Sequence, residues 1–296
     1  MTTAPTAIVT PAETRPRERG SVLPRSAAML IMGVCTVYFL LPLWWLLVGA
    51  TKSREQFTGT DSLWFADFRL LDNLGELMSY RDGLFLRWTL NSLAYTAGAA
   101  LLGTLLAAMC GYALAKYRFP GRELIFNVVL SGVLVPATAL ALPLFLIFSQ
   151  VHATNTFWAV FLPSLVNPFG VYLARVYAAA GVPDGLLEAS RIDGAGEVRT
   201  FFTISARLMA PALVTIFLFH FVAVWNNFLL PLIMLSDERL FPVTLGLYTW
   251  NTQIAQVPEL RGMVIVGSLI SITPLAVAFL LLQRFWRTGI STGAVK

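Results

Sequence analysis

Charge is the commodity this sequence has least of. Asp, Glu, Lys and Arg make up 12% of the 296 residues and hydrophobic residues 57%, whereas a soluble domain carries about 25% charged residues. That excludes a water-soluble globular chain. Apolar runs near the roughly 20 residues that a helix needs to cross a bilayer fall at about 27–50, 89–114, 124–149, 157–174, 208–235 and 262–283. Six membrane helices are expected.

The runs themselves contain no Asp, Glu, Lys or Arg. A proton- or ion-coupled transporter places a movable charge inside the bilayer, so this composition argues against one. His220 is the only imidazole in a run; a proton relay would need an acid or second base beside it, and a hydrogen-bonded packing role is expected instead. Cys35 and Cys110 sit in different runs and are expected to be small core residues rather than a disulfide or a metal pair. No His/Cys/Asp cluster has metal-ligand spacing. Ser268 after Gly267, with His220 one run earlier, is too common a pairing to mark an intramembrane hydrolase. There is no G-x-x-x-x-G-K-[ST] phosphate loop, no internal repeat, and none of the period-two alternation of a β-barrel.

Lys and Arg set the orientation, because positively charged loops stay cytoplasmic. With the N-terminus inside, the inner segments hold 14 of them and the outer loops 7. The expected fold is therefore an all-α membrane protein with six transmembrane helices, N-in and C-in. The net charge of +5 then reflects orientation, and no nucleic-acid partner is expected. Residues 1–26, rich in Thr, Pro, Ala and Arg, read as a disordered cytoplasmic tail. The first run is too long for a cleavable signal peptide and lacks a small-residue cleavage site, so it should persist as a helix. Residues 27–283 form the membrane domain, and 284–296 a cytoplasmic C-terminal tail.

Between the fourth and fifth runs lies GVPDGLLEASRIDGAGEVRTFFTIS, residues 181–205, with four acids and two arginines. Pro183 and Asp184 suit the first turn of a helix, which should run to about Ile192. Gly194 suits a left-handed cap. A second helix should follow, starting near Glu197, with Val198, Phe201 and Phe202 at i, i+3 and i+4, and run into the fifth span. Periodicity leaves two readings: a helix pair lying on the membrane or on the protein's own spans, or a helix that docks into a groove on a partner, with Glu188 and Arg191 setting register.

EASRIDGAGEVRTFFTI resembles the EAA loop of binding-protein-dependent ABC importer permeases, in which E-A-A is followed after three residues by G and nine residues later by I-x-L-P. Glu188, Ala189, Gly194 and Ile204 match; Ser190 replaces the second alanine, and Ala206-Arg207 stands where the family has Leu-Pro, with Pro211 close behind. NSL (residues 91–93), GYALAKYRFPGR (111–122), WNNFLLPL (225–232), FPVTLGLY (241–248) and the ending QRFWRTGISTGAVK resemble the maltose-type, carbohydrate branch. The importer core is thus about 89–283 and the coupling segment 181–207.

The resemblance implies a permease subunit in a prokaryotic plasma membrane, translocating a sugar or sugar-like solute. It has no cofactor of its own, with ATP and Mg held by partner ATPase subunits. The implied partners are a second, homologous permease, two ATPase subunits and an extracytoplasmic solute-binding protein. Glu188, Ala189, Ser190, Arg191, Asp193 and Gly194 would couple to the ATPase. For the solute path the spans offer Asn167, Trp225, Asn226 and Asn227, whose hydrogen-bonding groups and aromatic face suit a sugar; interhelical bonding is the other reading of the asparagines. The outer loop 51–88 is a candidate contact for the binding protein or a surface-lying helix. The rival readings are a permease of the same superfamily for a non-sugar solute, an ion-coupled secondary transporter, and a membrane scaffold that transports nothing.

Overall fold

The computed structural model describes residues 25–291, so the expected tail 1–26 lies almost wholly outside the described residues, as do the last five residues of the C-terminal motif. The regular elements among the described residues are all helices, with no strand among them. The chain divides into a unit ending at Trp45 and a second unit beginning at Leu46. The first unit is described only by α1 (Arg25–Ala50), which continues into the second, and the first run persists as a helix, as expected.

The second unit is organised around α3 (Leu84–Lys116), preceded by α2 (Leu70–Ser79). After α3 come α4 (Arg122–Ser131), α5 (Ala137–Gln150), α6 (Phe157–Phe161), α7 (Pro168–Gly181), α8 (Asp184–Ile192) and α9 (Glu197–Thr200). The chain ends with α10 (Ala210–Trp225), α11 (Leu229–Met234), α12 (Val243–Gln253) and α13 (Leu260–Ser291). By length and composition four stretches can each cross a membrane: Ser26–Ala50, Leu84–Lys116, Phe157–Gly181 and Leu260–Gln283. A bent pair, Glu197–Leu208 with Ala210–Trp225, makes a fifth if the two are taken as one span.

The expected span 124–149 is not one helix. It breaks between Ser131 and Ala137, where Pro136 cannot continue the hydrogen-bond ladder and takes an extended backbone. The fifth span breaks similarly at residues 226–228, ahead of Pro231. The fourth runs further than its apolar run, to Gly181, and so carries Arg175, whose guanidinium donates to both oxygens of Glu123 at 2.7 and 2.9 Å and lies over the Phe126 ring.

α3 is the central helix because its sequence lets neighbours come close. Ala99, Gly103, Ala107 and Gly111 recur every four residues and are buried along one face; in a bilayer such small residues let backbones approach and gain van der Waals contact. α7 answers with Gly170, Ala174 and Ala178, and α10 packs on α3 beside it. His220 on α10 reaches the Ser164 carbonyl at 2.9 Å. Pro168, four residues after Ser164, has no N–H to offer that carbonyl, so the imidazole satisfies an acceptor the proline leaves open, in agreement with the expected packing role.

At the other end of α3 the side chains of the NSL motif hold the chain that leads into α12. Asn91 Nδ2 donates to the carbonyls of Arg239 and Phe241 at 2.8 and 3.1 Å, and Ser92 Oγ accepts from the Val243 N–H at 2.7 Å. Trp88 Nε1 donates to the Glu238 carbonyl at 2.7 Å, and its ring stacks obliquely on Trp250. Two motifs 150 residues apart are thus one structural unit. In the outer loop, Asn73 ties α2 back to the end of α1 through the carbonyls of Ala50 and Lys52 at 2.8 and 3.0 Å.

Candidate functional site

The polar segment after α7 folds as a hairpin of two short helices. Pro183 takes the N-cap position with an extended backbone, not the first turn, so α8 opens at Asp184, one residue later than expected. α8 ends in a full Schellman motif: the Ala195 N–H donates to the Ser190 carbonyl at 2.9 Å, and the Gly194 N–H to that of Arg191 at 3.0 Å. Gly194 has φ +75°, the left-handed conformation for which glycine was expected at this position.

Each expected coupling residue has a defined place. Ser190 is buried; its hydroxyl donates to the Leu187 carbonyl at 2.9 Å and lies 3.0 Å from Thr200 Oγ1. A serine in the alanine position therefore pins α8 to α9, which alanine could not do. Arg191 is exposed but pairs within the hairpin, its Nε 2.8 Å from Glu197 Oε1. Glu188, Ala189, Asp193 and Gly194 are exposed.

The stripe Val198, Phe201, Phe202 does not act as one face. Phe201 is buried against Tyr112, while Val198 is 68% and Phe202 48% exposed. The helix widens to a π turn over Phe201–Ser205, which begins within the stripe. The second helix also does not run straight into the fifth span. It turns by 83° at Met209, immediately after the Ala206-Arg207 pair, and Pro211 sits in the first turn of α10, where its missing N–H is harmless.

Two residues outside the expected set grip the hairpin. Lys116 Nζ, at the last residue of α3, is 2.8 Å from Asp184 Oδ1, and the Tyr117 hydroxyl donates to Glu197 Oε2 at 2.6 Å. Lys116 holds the Asp184 carboxyl below its usual 3.8, and Arg191, followed by Tyr117, holds Glu197 below 4.5. A carboxyl whose folded value is depressed contributes stability above its unfolded value, and that contribution is lost as pH falls through the folded value. Amide-exchange protection over 184–200, corrected for intrinsic rate, is therefore expected to stay flat between about pH 5 and pH 8 and to fall below about pH 4. Loss of protection between about pH 8 and pH 5 would contradict the assignment.

The expected solute-path residues are not gathered in one chamber. Asn167 caps α7, its Oδ1 accepting from the Gly170 N–H at 2.8 Å. Trp225 is buried and stacks on Phe221. Asn226 is exposed, with Nδ2 donating to the Val222 carbonyl at 2.9 Å. Asn227 lines a cavity of about 10 Å³ with Ser92, Tyr95, Thr96, Ser164 and Pro231, room for about one water molecule.

The family described as binding-protein-dependent transport system inner membrane component matches residues 84–288. The chain belongs to that family. Among curated permeases, it is 32% identical to the arabinooligosaccharides transport system permease protein AraQ of Bacillus subtilis, over 92% of this chain and 96% of that one. It is 27% identical to the diacetylchitobiose uptake system permease protein NgcG of Streptomyces coelicolor, over 92% and 88%. Among solved structures, a chain of a bacterial ABC transporter involved in import of the acidic polysaccharide alginate superposes with a TM-score of 0.77 at 20% identity, covering 88% of this chain and 95% of that one. The permease fold thus extends over nearly the whole described chain.

Proposed function

We propose that this permease passes a sugar or oligosaccharide across the plasma membrane, driven by ATP hydrolysed in separate subunits that dock on the α8–α9 hairpin. The observation that carries the reading is what the hairpin leaves uncovered. Leu186, Ile192, Val198 and Phe202 are 44%, 86%, 68% and 48% exposed on an otherwise polar segment. Exposed apolar side chains on the same short segment as Glu188 are suited to burial in a partner's groove. The carbohydrate class is supported by relatives named for arabinooligosaccharides, diacetylchitobiose, lactose and trehalose/maltose.

In this reading the chain crosses the membrane six times, N-in and C-in, with the broken pairs α4–α5 and α10–α11 forming the third and fifth crossings. A second permease and a solute-binding protein complete the importer; in the alginate system, a solved complex includes a periplasmic protein holding an alginate pentasaccharide. The 10 Å³ cavity at Asn227 would then be a closed stage of the path, opened when the break at 226–228 moves. Cysteines placed at 150–156 should react with an impermeant maleimide from outside, and those at 184–196 only after permeabilisation; the opposite pattern rules out the orientation. Uptake of labelled oligosaccharide should need ATP and survive a protonophore under clamped ATP. Collapse of uptake with the proton gradient would point instead to a secondary transporter.

A further inference from the structure

We propose that Lys116 and Tyr117 are positioning residues for coupling: they clasp the hairpin to α3, so that motion of the docked hairpin drives the central helix directly and not only the spans that adjoin the hairpin in sequence. This rests on the permease reading above. Lys116 holds Asp184, the first residue of α8, and Tyr117 holds Glu197, the first residue of α9. Both arms of the hairpin are therefore fastened at their starts to one end of one helix. Arg191 closes the figure from the last turn of α8, on the other oxygen of Glu197.

Aromatic packing backs the polar contacts. Tyr112, one turn before Lys116 on α3, meets the Tyr117 ring edge-on at a centroid distance of 5.8 Å and the Phe201 ring at 5.3 Å. The Lys116 side chain is only 7% exposed, so its ammonium has little room to swing away from Asp184. Charge-assisted hydrogen bonds of 2.6–2.8 Å are the short, strong class, and coupling between distant parts of a protein travels along such contiguous contacts.

The route along the chain to the fifth span is of a different kind. Between α9 and α10 lie the π turn Phe201–Ser205 and the 83° bend at Met209. A helix interrupted twice in its hydrogen-bond ladder does not push on its far end as a straight one does. The chain joins the hairpin closely to α7, through Val182 and Pro183 alone; on the side of the fifth span the short route is through side chains, to α3. Because α3 packs along both α7 and α10, a displacement of its end reaches the centre of the bundle.

The test uses the whole importer in proteoliposomes, with solute uptake and ATP hydrolysis measured on the same preparation. Tyr117→Phe removes one hydroxyl and keeps the ring contacts. Lys116→Asp and Asp184→Lys each put like charges together, and the double swap restores an opposite pair. The expected result is that each single variant co-purifies with the ATPase but takes up about 2- to 30-fold less solute per ATP hydrolysed, the range in which mutations along a coupling network act, and that the swap recovers most of the ratio. A role in folding alone lowers uptake and hydrolysis together, and an unchanged ratio in Tyr117→Phe and Lys116→Asp overturns the clasp. So does a swap that fails to recover the ratio. A wild-type complex that moves solute without consuming ATP overturns the permease reading itself, which is a separate outcome.

Discussion

Gly111→Val should destabilise the folded chain strongly. A Cβ at Gly111 would lie 2.6 Å from the Ala174 Cβ, 2.6 Å from the Arg175 backbone nitrogen and 2.7 Å from the Val171 carbonyl oxygen. Two of these atoms are backbone and cannot rotate away, so α3 and α7 must separate along the very face on which their small residues meet. Overpacking a well-packed site costs about 1–3 kcal/mol and occasionally more, and a branched side chain against backbone belongs at the upper end. Separation also exposes the Ala108, Tyr112 and Ala174 cluster, into which Phe201 packs, so the damage reaches the segment that follows α9. The matched control is Gly185→Ala on α8, where nothing lies within 4 Å of the added atom and removing a helical glycine is worth about 0.5–1 kcal/mol in the other direction. Thermal stability in detergent, read as loss of the monodisperse peak, should drop by many degrees for Gly111→Val and hold or rise for Gly185→Ala. A Gly111→Val protein as stable as wild type would mean that α3 and α7 are not in contact there.

How much of this could be seen in the sequence depended on whether the signal was local. The Gly194 cap was legible because a left-handed residue has so few chemical options, and Pro183-Asp184 marked the start of α8 to within one residue. The long apolar runs marked α1, α3 and α13, whose interiors hold no competing signal apart from Pro42 and Pro274, which the membrane helices carry without ending. The break at Pro136 was missed because hydropathy averages over a window and says nothing of the ladder's continuity; Gly132 and Pro136 together were the available cue. The clasp was invisible for another reason. Lys116 and Asp184 are 68 residues apart, and Tyr117 and Glu197 are 80 apart, so no periodicity relates them. GYALAKYRFPGR stood out only by resemblance, and what Lys116 and Tyr117 hold needed the fold. Asn91 and Ser92 are likewise visible in the sequence as a motif, whereas their partners, the carbonyls and amide leading into α12, follow only from the fold.

The substitution of Ser190 for the family's second alanine and that of Ala206-Arg207 for Leu-Pro also separate under the same test. The first acquires a reason from the buried Ser190–Thr200 contact, which joins the two arms across the glycine turn. The second acquires one from the placement of the bend: the helix turns at Met209 and restarts at Ala210 with Pro211 in its first turn, so the proline's function is displaced a few residues along the chain.

Uptake should fall by about 5- to 30-fold in Gly194→Val, with the protein still inserted and folded. Nothing lies within 4 Å of a Cβ added at Gly194, so the substitution meets no steric obstacle; its whole effect is on the backbone. A β-branched residue at φ +75° is a strong outlier, and left-handed backbone costs an L-residue roughly 1–2 kcal/mol, equivalent to about 5- to 30-fold if relieved by opening the turn. Opening it breaks the Ala195–Ser190 and Gly194–Arg191 bonds and swings Glu188 and Ile192 out of register with Val198 and Phe202. Gly194→Asn separates this account from simple intolerance of any side chain, because asparagine visits the left-handed region readily; it should retain most of the uptake. Glu188→Lys attacks the same surface from the charge side. Glu188 is exposed and its side chain has no hydrogen-bond or ion-pair partner within the hairpin, so reversing its charge leaves the fold untouched and changes only what a partner meets. Lost association with the ATPase is the expected readout for Glu188→Lys, and lost uptake for both. Wild-type uptake by Gly194→Val and Glu188→Lys alike would remove the hairpin from the transport cycle, and with it the reason for its uncovered apolar side chains.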